Sequence, residues 1–286
     1  MIYKKIFSNF APYFRMKFRY LLIFILCLTI VSCGEYEKLL KSTDYELKIA
    51  KIKEYYDQGK YMKASELINQ VLPVYRATQE AENLTWLNAQ CYLNMKDYLM
   101  AATEFKNYAD LYAYGEHVEE AVFMTALCKY YMSPRPELDQ TNTVDAIEAF
   151  QIFIGRFPFH PRVPDAAKYI DELSEKLARK AFISAKLYYD MKQYKAAIVS
   201  LENCVNKYPA SKYREEMMFL KLNSLFLYAE NSVPSKQTER YQETLDEYFS
   251  FIEEFPKTIY YKEVADIFHT VSRKLNISNE NQANTK

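Results

Sequence analysis

Cys33 is the residue of this chain best placed for covalent chemistry. It closes the apolar run Leu21–Ser32 (LLIFILCLTIVS), which follows five basic residues, Lys4, Lys5, Arg15, Lys17 and Arg19. A positive segment, a short apolar core and small residues before a cysteine describe a secretory signal. The other reactive side chains do not converge. The three histidines, His117, His160 and His269, are far apart, and no Gly-x-Ser-x-Gly elbow, His-Glu-x-x-His motif or phosphate-cradling glycine loop is present. Beyond the signal, Cys91, Cys128 and Cys204 are odd in number and scattered, neither a disulfide framework nor a zinc pattern. Each lies in an apolar helical stretch and reads as a small core residue. Glu215-Glu216 and Glu253-Glu254 read as solvated helix faces, and His160, between Phe159 and Pro161, as a loop residue. The expectation is a protein without catalytic residues and without a metal.

Ile30-Val31-Ser32-Cys33 resembles the lipobox of bacterial lipoproteins, in which the cysteine is lipidated and becomes the first residue of the mature chain. That resemblance implies a covalent S-diacylglycerol and N-acyl lipid on Cys33 and no other cofactor. Three acyl chains, at about 0.8 kcal/mol per buried methylene, exceed what stable anchoring requires. A permanent span would need roughly 20 apolar residues, whereas Leu21–Val31 supplies 11. An ordinary cleaved signal with a coincidental cysteine is the other alternative. Met16 offers a second start, leaving the compact basic segment Met-Lys-Phe-Arg-Tyr. Gly34 stands after Cys33 where an Asp is associated with inner-membrane retention in some bacteria.

The formal net charge of zero hides an asymmetry. Residues 1–32 carry those five basic groups and no acidic ones, so the remainder has 32 basic against 37 acidic residues, a net charge of −5. Such a surface does not suit nucleic acid, whose binding rests on phosphate neutralisation by Lys and Arg. It does not suggest electrostatic adhesion to anionic lipid either. Only four glycines accompany 27 tyrosines and 18 phenylalanines, a balance that favours long packed helices over a turn-rich β-fold.

The elements that must carry any binding surface show themselves as a repeat. Tyr61, Ala64, Ile68 and Val71 are matched 37 residues on by Tyr98, Ala101, Phe105 and Tyr108. Ala146, Phe150, Phe153 and Pro158 give a third copy, Tyr194, Ala197, Leu201, Cys204 and Pro209 a fourth. Tyr241, Thr244, Tyr248, Phe251 and Pro256 give a fifth. Tyr55, Tyr92 and Tyr188 fall six residues before Tyr61, Tyr98 and Tyr194. These offsets are those of the tetratricopeptide repeat, two antiparallel helices in about 34 residues. The small residue permits close helix approach, the residue one turn later fills the gap to the next repeat, and proline ends the second helix. The expected fold class is therefore all-α, an α-solenoid of about five tetratricopeptide (TPR) helix pairs. Residues 1–32 would be a lipoprotein signal peptide, 33–44 a lipidated tether, 45–275 the solenoid and 276–286 a polar disordered tail. Ser133–Asn142 and Ser232–Glu239, Pro-containing and polar, are expected as loops inside the third and fifth repeats, and Phe159–Ala178 as the start of a long first helix of the fourth.

A repeat solenoid offers a concave surface built from the first helix of each pair. The register places Lys53 and Tyr56 of the first pair, and Asn83, Trp86, Gln90 and Asn94 of the second, towards that groove. Aromatic side chains flanked by amides suit an extended peptide, whose backbone needs hydrogen bonds. Trp86, the single tryptophan, is equally readable as an inter-helix packing residue.

Lipobox and repeats together resemble the BamD family, lipoproteins of the outer-membrane β-barrel assembly machine. The likeness runs from Tyr45 to about Leu275. It is carried by Phe157-Pro158, Tyr208-Pro209 and Phe255-Pro256, by Ser211-Lys-Tyr213 and Thr258-Ile-Tyr260, and by Ala166–Ala178 leading into Phe182, Ala185, Tyr188 and Tyr189. Two features depart from the family pattern. Leu72-Pro-Val-Tyr75 stands where an aromatic-Pro pair is usual, and the fifth repeat carries its own insertion. The resemblance implies a scaffold in the periplasm, lipid-anchored to the outer membrane. Its C-terminal repeats would bind periplasmic domains of the barrel insertase (BamA-like), and Arg214 and Arg240 are the residues expected at that interface. Its N-terminal repeats would receive unfolded outer-membrane β-barrel proteins through Lys53, Tyr56, Asn83, Trp86, Gln90 and Asn94. Two other classes stay open: another TPR cell-envelope scaffold lipoprotein, and a helical-repeat glycan-binding lipoprotein partnered with a nutrient transporter.

Overall fold

A computed structural model of the chain describes residues 34–276, and Cys33 with its signal lies outside the described residues. All regular structure among them is helical. Residues 34–41 form α1, followed by α2 (Tyr45–Asp57), α3 (Tyr61–Val71), α4 (Gln79–Asn94) and α5 (Tyr98–Leu111). Then come α6 (Val118–Met132), α7 (Thr141–Arg156), α8 (Val163–Asp190), α9 (Tyr194–Lys207), α10 (Arg214–Glu230), α11 (Pro234–Glu254) and α12 (Tyr261–Lys274). The chain divides into two compact units, one ending at His117 and one beginning at Val118. The first holds the pairs α2/α3 and α4/α5 behind α1. The second holds α6/α7, α8/α9 and α10/α11, with α12 packed on α10 and α11. The five expected helix pairs are all present, and no described helix is long and apolar enough to cross a membrane.

The repeat signature marks the packing. Ala64, Ala101, Ala146, Ala197 and Thr244 are wholly inaccessible, and so are Ile68, Phe150, Phe153, Leu201 and Phe251. The six-residue tyrosine spacing has a backbone cause. In the turns within the first, second and fourth pairs, one residue adopts the left-handed conformation: Gly59 (φ 71°), Lys96 (φ 60°) and Lys192 (φ 59°). The next N–H then reaches back to the carbonyls of Tyr55, Tyr92 and Tyr188 respectively. This hydrogen bond is the helix-terminating closure that leaves no carbonyl stranded. The second helix begins one residue later, on Tyr61, Tyr98 or Tyr194.

The turns between pairs are equally stereotyped. Tyr112, Phe157, Tyr208 and Phe255 share nearly one conformation, with φ from −118° to −131° and ψ 63° to 66°. Three of them precede proline, which disfavours helical geometry in the residue before it. Three residues after Tyr208 and Phe255, Ser211 Oγ and Thr258 Oγ1 accept the backbone N–H of Tyr213 and Tyr260 at 3.2 and 3.0 Å. His160 Nδ1 takes the same place for Arg162 at 3.2 Å. The tyrosines so positioned stack on the preceding repeat, Tyr213 on Phe182 at 5.5 Å and Tyr260 on Phe219 at 4.0 Å. The small-x-Tyr segments are thus turn chemistry followed by an inter-repeat wedge.

Two segments differ from expectation. Of Ser232–Glu239, expected as a loop, only the first residues are one. Pro234 opens α11, because proline with its fixed φ suits a first helical turn, and Lys236 pairs with Glu239 at 2.8 Å along the helix. The region expected as a tether is helical over 34–41, with Tyr36 and Leu39 in the core of the first pair. The other insertion is a loop, from Ser133 to Gln140. It is tied down by α8, with Lys176 Nζ donating to Ser133 Oγ at 2.7 Å and Lys180 Nζ to the Leu138 carbonyl.

Candidate functional site

The face expected to bind peptide lies in the first unit. On α2, Lys53 is exposed and Tyr56 half-buried; one turn and more apart on α4, Asn83 and Asn94 are exposed, and Trp86 and Gln90 half-buried. Tyr56 and Gln90 meet: the Tyr56 hydroxyl donates to Gln90 Oε1 at 2.8 Å, joining the first helices of successive pairs. Asn94 Nδ2 approaches the same hydroxyl at 3.4 Å and donates to the Gln90 carbonyl at 2.9 Å. These bonds use Gln90's side-chain oxygen and the Asn94 amide nitrogen. They leave Gln90's N–H groups and Asn94's side-chain oxygen as the chemically suitable partners for an extended backbone.

Trp86 is engaged differently. Its ring stacks on His117 at 4.5 Å and meets Phe105 and Tyr108 edge-on at 5.2 and 5.5 Å. Behind this cluster the Tyr108 hydroxyl donates to Glu82 Oε1 at 2.7 Å and accepts the His117 N–H at 3.2 Å. Burial first, and the Glu82 hydrogen bond second, push the Tyr108 phenol up to about 12. Trp86, expected on the groove face, therefore packs within its own repeat. Lys53, Asn83 and Asn94 are the exposed members of the set.

Arg214 and Arg240 in the second unit are held internally. The Arg214 guanidinium grips Glu254 with two N–H groups, one at 3.0 Å, and donates a third to the Val205 carbonyl at 2.9 Å. It thereby joins α10 to the ends of α9 and α11. The Arg240 guanidinium lies 4.0 Å from the Tyr228 ring centre and donates to Ser232 Oγ, closing the turn that precedes α11. Both were expected at a partner interface; three N–H groups of Arg214 and one of Arg240 are engaged within the fold.

The second unit has a groove that the repeat register did not single out. It has a volume of about 1060 Å³ and is lined by Tyr188, Tyr194 and Tyr228 with Lys192, Lys195 and Asn203 among others. Two of its lining tyrosines, Tyr188 and Tyr194, also set the turn within the fourth pair, so the repeat pattern accounts for them without a groove. The thiols are inert by position: Cys91, Cys128 and Cys204 are free and buried, and burial pushes the first two up to about 12. Among the described residues no three His, Cys, Asp or Glu side chains are grouped to hold a metal ion.

The family described as "YfiO: Outer membrane lipoprotein" matches residues 46–225, from α2 into α10. The outer membrane protein assembly factor BamD of Rickettsia prowazekii (strain Madrid E) is 22% identical over 182 residues, covering 64% of this chain and 72% of that protein. Among solved structures, the TPR domain of P58(IPK) aligns over 87% of this chain and 69% of its own, with a TM-score of 0.39 and 14% identity. The complex of the yeast Sti1 TPR2AB domain with pHSP90 aligns over 80% and 98%, with a TM-score of 0.36 and 11% identity.

Proposed function

The chain belongs to the YfiO family of outer membrane lipoproteins, and from that premise we propose that it is a non-catalytic scaffold of outer-membrane β-barrel assembly. Anchored by acyl chains on Cys33, it works on the periplasmic side of the outer membrane. Its first unit receives unfolded barrel proteins as extended segments. Lys53, Asn83 and the Tyr56–Gln90–Asn94 group supply polar contacts to such a backbone, and Trp86 forms the firm wall beside them. Its second unit binds periplasmic domains of the barrel insertase, with Arg214 and Arg240 shaping that surface from within.

The observation that carries this reading is the family match itself, which covers the helices bearing the candidate groove and reaches into α10 of the second unit. The polar ladder between α2 and α4 supports it, because amides that are only partly satisfied at an exposed face suit strand-like peptide capture. Depletion of the protein in its own host tests the reading. Loss of many different barrel proteins from the outer membrane, and recovery of the insertase with the affinity-purified chain, are expected. Recovery of a sugar transporter, with selective loss of growth on one polysaccharide, would overturn it in favour of a glycan-binding role.

A further inference from the structure

We propose that α1 is a rigid mount that holds the first unit against the lipid surface, with the face of that unit bearing α1 apposed to the headgroups. The inference rests on the reading of Cys33 as the acylated residue and adds to it a fixed geometry. A lipoprotein whose anchor is joined to its folded part by free chain can stand at any height the linker allows. Here the slack is nearly absent. Only three residue steps separate Cys33 from Tyr36, a span of at most about 11 Å whatever conformation those residues take.

Tyr36 is fixed from several sides. It is 8% exposed, and its hydroxyl donates to Glu66 Oε2 at 2.6 Å and lies 3.3 Å from the Lys63 carbonyl, both on α3. Its ring meets Tyr55 of α2 edge-on at 5.7 Å and carries the Lys63 ammonium at 4.7 Å from its centre. The other end of α1 is held by Lys48 of α2, a lysine only 2% exposed. Its Nζ donates to the Leu40 carbonyl at 3.1 Å and to Gln70 Oε1 of α3 at 2.6 Å. A buried ammonium on the last carbonyls of a helix satisfies orphan acceptors and opposes the negative end of the helix dipole.

The outward side of α1 suits the partner named. Gly34, Glu35, Glu37, Lys38 and Lys41 are exposed, two acids and two bases without a large apolar side chain. Such a face neither inserts into hydrocarbon nor is repelled by zwitterionic headgroups, so the acyl chains alone set the attachment and α1 sets the orientation. Capping the first pair would by itself require only that α1 be docked. The three-step distance from Cys33 to the docked tyrosine is what converts the cap into a mount.

The test uses the full acylated chain reconstituted into phosphatidylethanolamine and phosphatidylglycerol vesicles that contain dansyl-labelled lipid. Trp86, the single tryptophan, is the energy donor within the first unit. A flexible Gly/Ser segment of about 12 residues inserted between Cys33 and Gly34 adds a mean span of about 20 Å, and transfer should fall by about half with the melting curve unchanged. Tyr36→Ala/Lys48→Met should lower transfer as well and speed amide exchange over residues 34–41. Unchanged transfer in the insertion variant overturns the mount, as does amide exchange at unfolded rates over 34–41 in the native chain. The anchor is tested separately: native chain that floats with vesicles while Cys33→Ser does not upholds acylation, and Cys33→Ser that still floats removes the premise.

Discussion

Replacing Lys221 by methionine should destabilise the second unit by about 3–5 kcal/mol, more than the loss of any exposed ion pair. Lys221, on α10, lies between Glu202 of α9 and Glu247 of α11, with Glu247 Oε2 at 2.7 Å. The Glu247 side chain is only 11% exposed, and its other oxygen is buried with no hydrogen-bond partner. Burial first, and the nearby Glu202 charge to a lesser degree, raise the Glu247 carboxyl above the usual range, while the Lys221 hydrogen bond and charge oppose that rise. Burial works against the Lys221 charge, but the hydrogen bonds it donates to the two glutamates hold its pKa above the ordinary lysine value. Glu202 is more exposed and contributes less. Methionine keeps the volume and removes the charge, leaving a buried carboxylate without its cation. At about 2–4 °C per kcal/mol, the transition of this unit should fall by roughly 6–20 °C at neutral pH.

The sign of the pH dependence follows from Glu247. A carboxyl whose folded pKa is raised takes up its proton more readily in the fold than in the unfolded chain. The corresponding stability is present below the unfolded value, 4.5, and is lost as pH rises through the folded one. Without Lys221 that folded value rises further. The deficit of the variant should therefore be largest at neutral pH and shrink on acidification, and adding Glu247→Gln should recover much of it. Calorimetry and circular dichroism melts between pH 4 and 8 read both effects. A loss below about 1 kcal/mol that does not vary with pH would refute the reasoning, since it would mean that the buried carboxylate is not in need of its partner.

Gly115→Ala should destabilise the first unit by about 1–3 kcal/mol, because a Cβ there would stand 2.5 Å from Glu82 Oε1 and 2.7 Å from the Tyr108 hydroxyl; urea titration followed by Trp86 emission reads it. Lys192→Gly should stabilise the second unit by about 0.5–1 kcal/mol by relieving a left-handed φ, measurable as a rise in its denaturation midpoint. Alkaline unfolding should set in above pH 10: burial and glutamate hydrogen bonds push Tyr108 and Tyr241 up to about 12, and the Glu172 hydrogen bond, then burial, does the same for Tyr130. Raised folded values give stability that is complete below the unfolded pKa of 10 and lost as pH rises towards 12, so tyrosinate absorbance and helix loss should change together. Trp86→Ala should weaken binding of a C-terminal barrel peptide in a fluorescence-polarisation titration with a labelled peptide; unchanged affinity would remove Trp86 from the groove.

The repeat was legible because each of its positions answers a constraint that few residues meet. Ala101 or Ala197 must stay small where helices touch, as Thr244 does, and Phe157 is turned away from helical geometry by Pro158. Such constraints leave residue types at fixed spacings. Helix ends that depend on context did not show themselves in this way. Ser232–Glu239 contains two signals, proline and a polar run, that fit a loop and a first helical turn equally well. What decided between them was the extended Val233 ahead of Pro234 and the Arg240 contact to Ser232, neither of which is visible in a linear pattern. Residues 34–41 were obscure for a related reason. Their charges suggest solvent, but only one side of a helix needs to be apolar, and Tyr36, Leu39 and Leu40 supply it.

Site residues are harder to read because the same side chains that recognise partners also tie helices together. An arginine fork matches a carboxylate whether that carboxylate belongs to another protein or to Glu254. Sequence shows that Arg214 is a candidate for an interface; only the placement of α9 and α11 shows that three of its donors are already bound. Tyrosines repeat this ambiguity through the chain. Tyr36, Tyr75, Tyr108 and Tyr130 each donate to a glutamate on another element, Glu66, Glu46, Glu82 and Glu172. Tyr56 is bound only to amides, and it lies where the first helices of two pairs meet. A phenol tied to a carboxylate is strongly satisfied and costly to separate, whereas amide partners can exchange one hydrogen bond for another at little net cost. Tyr189 of α8 is likewise bonded to an amide, Asn223 of α10, at 2.9 Å, so the exchangeable contacts recur where the first helices of successive pairs meet.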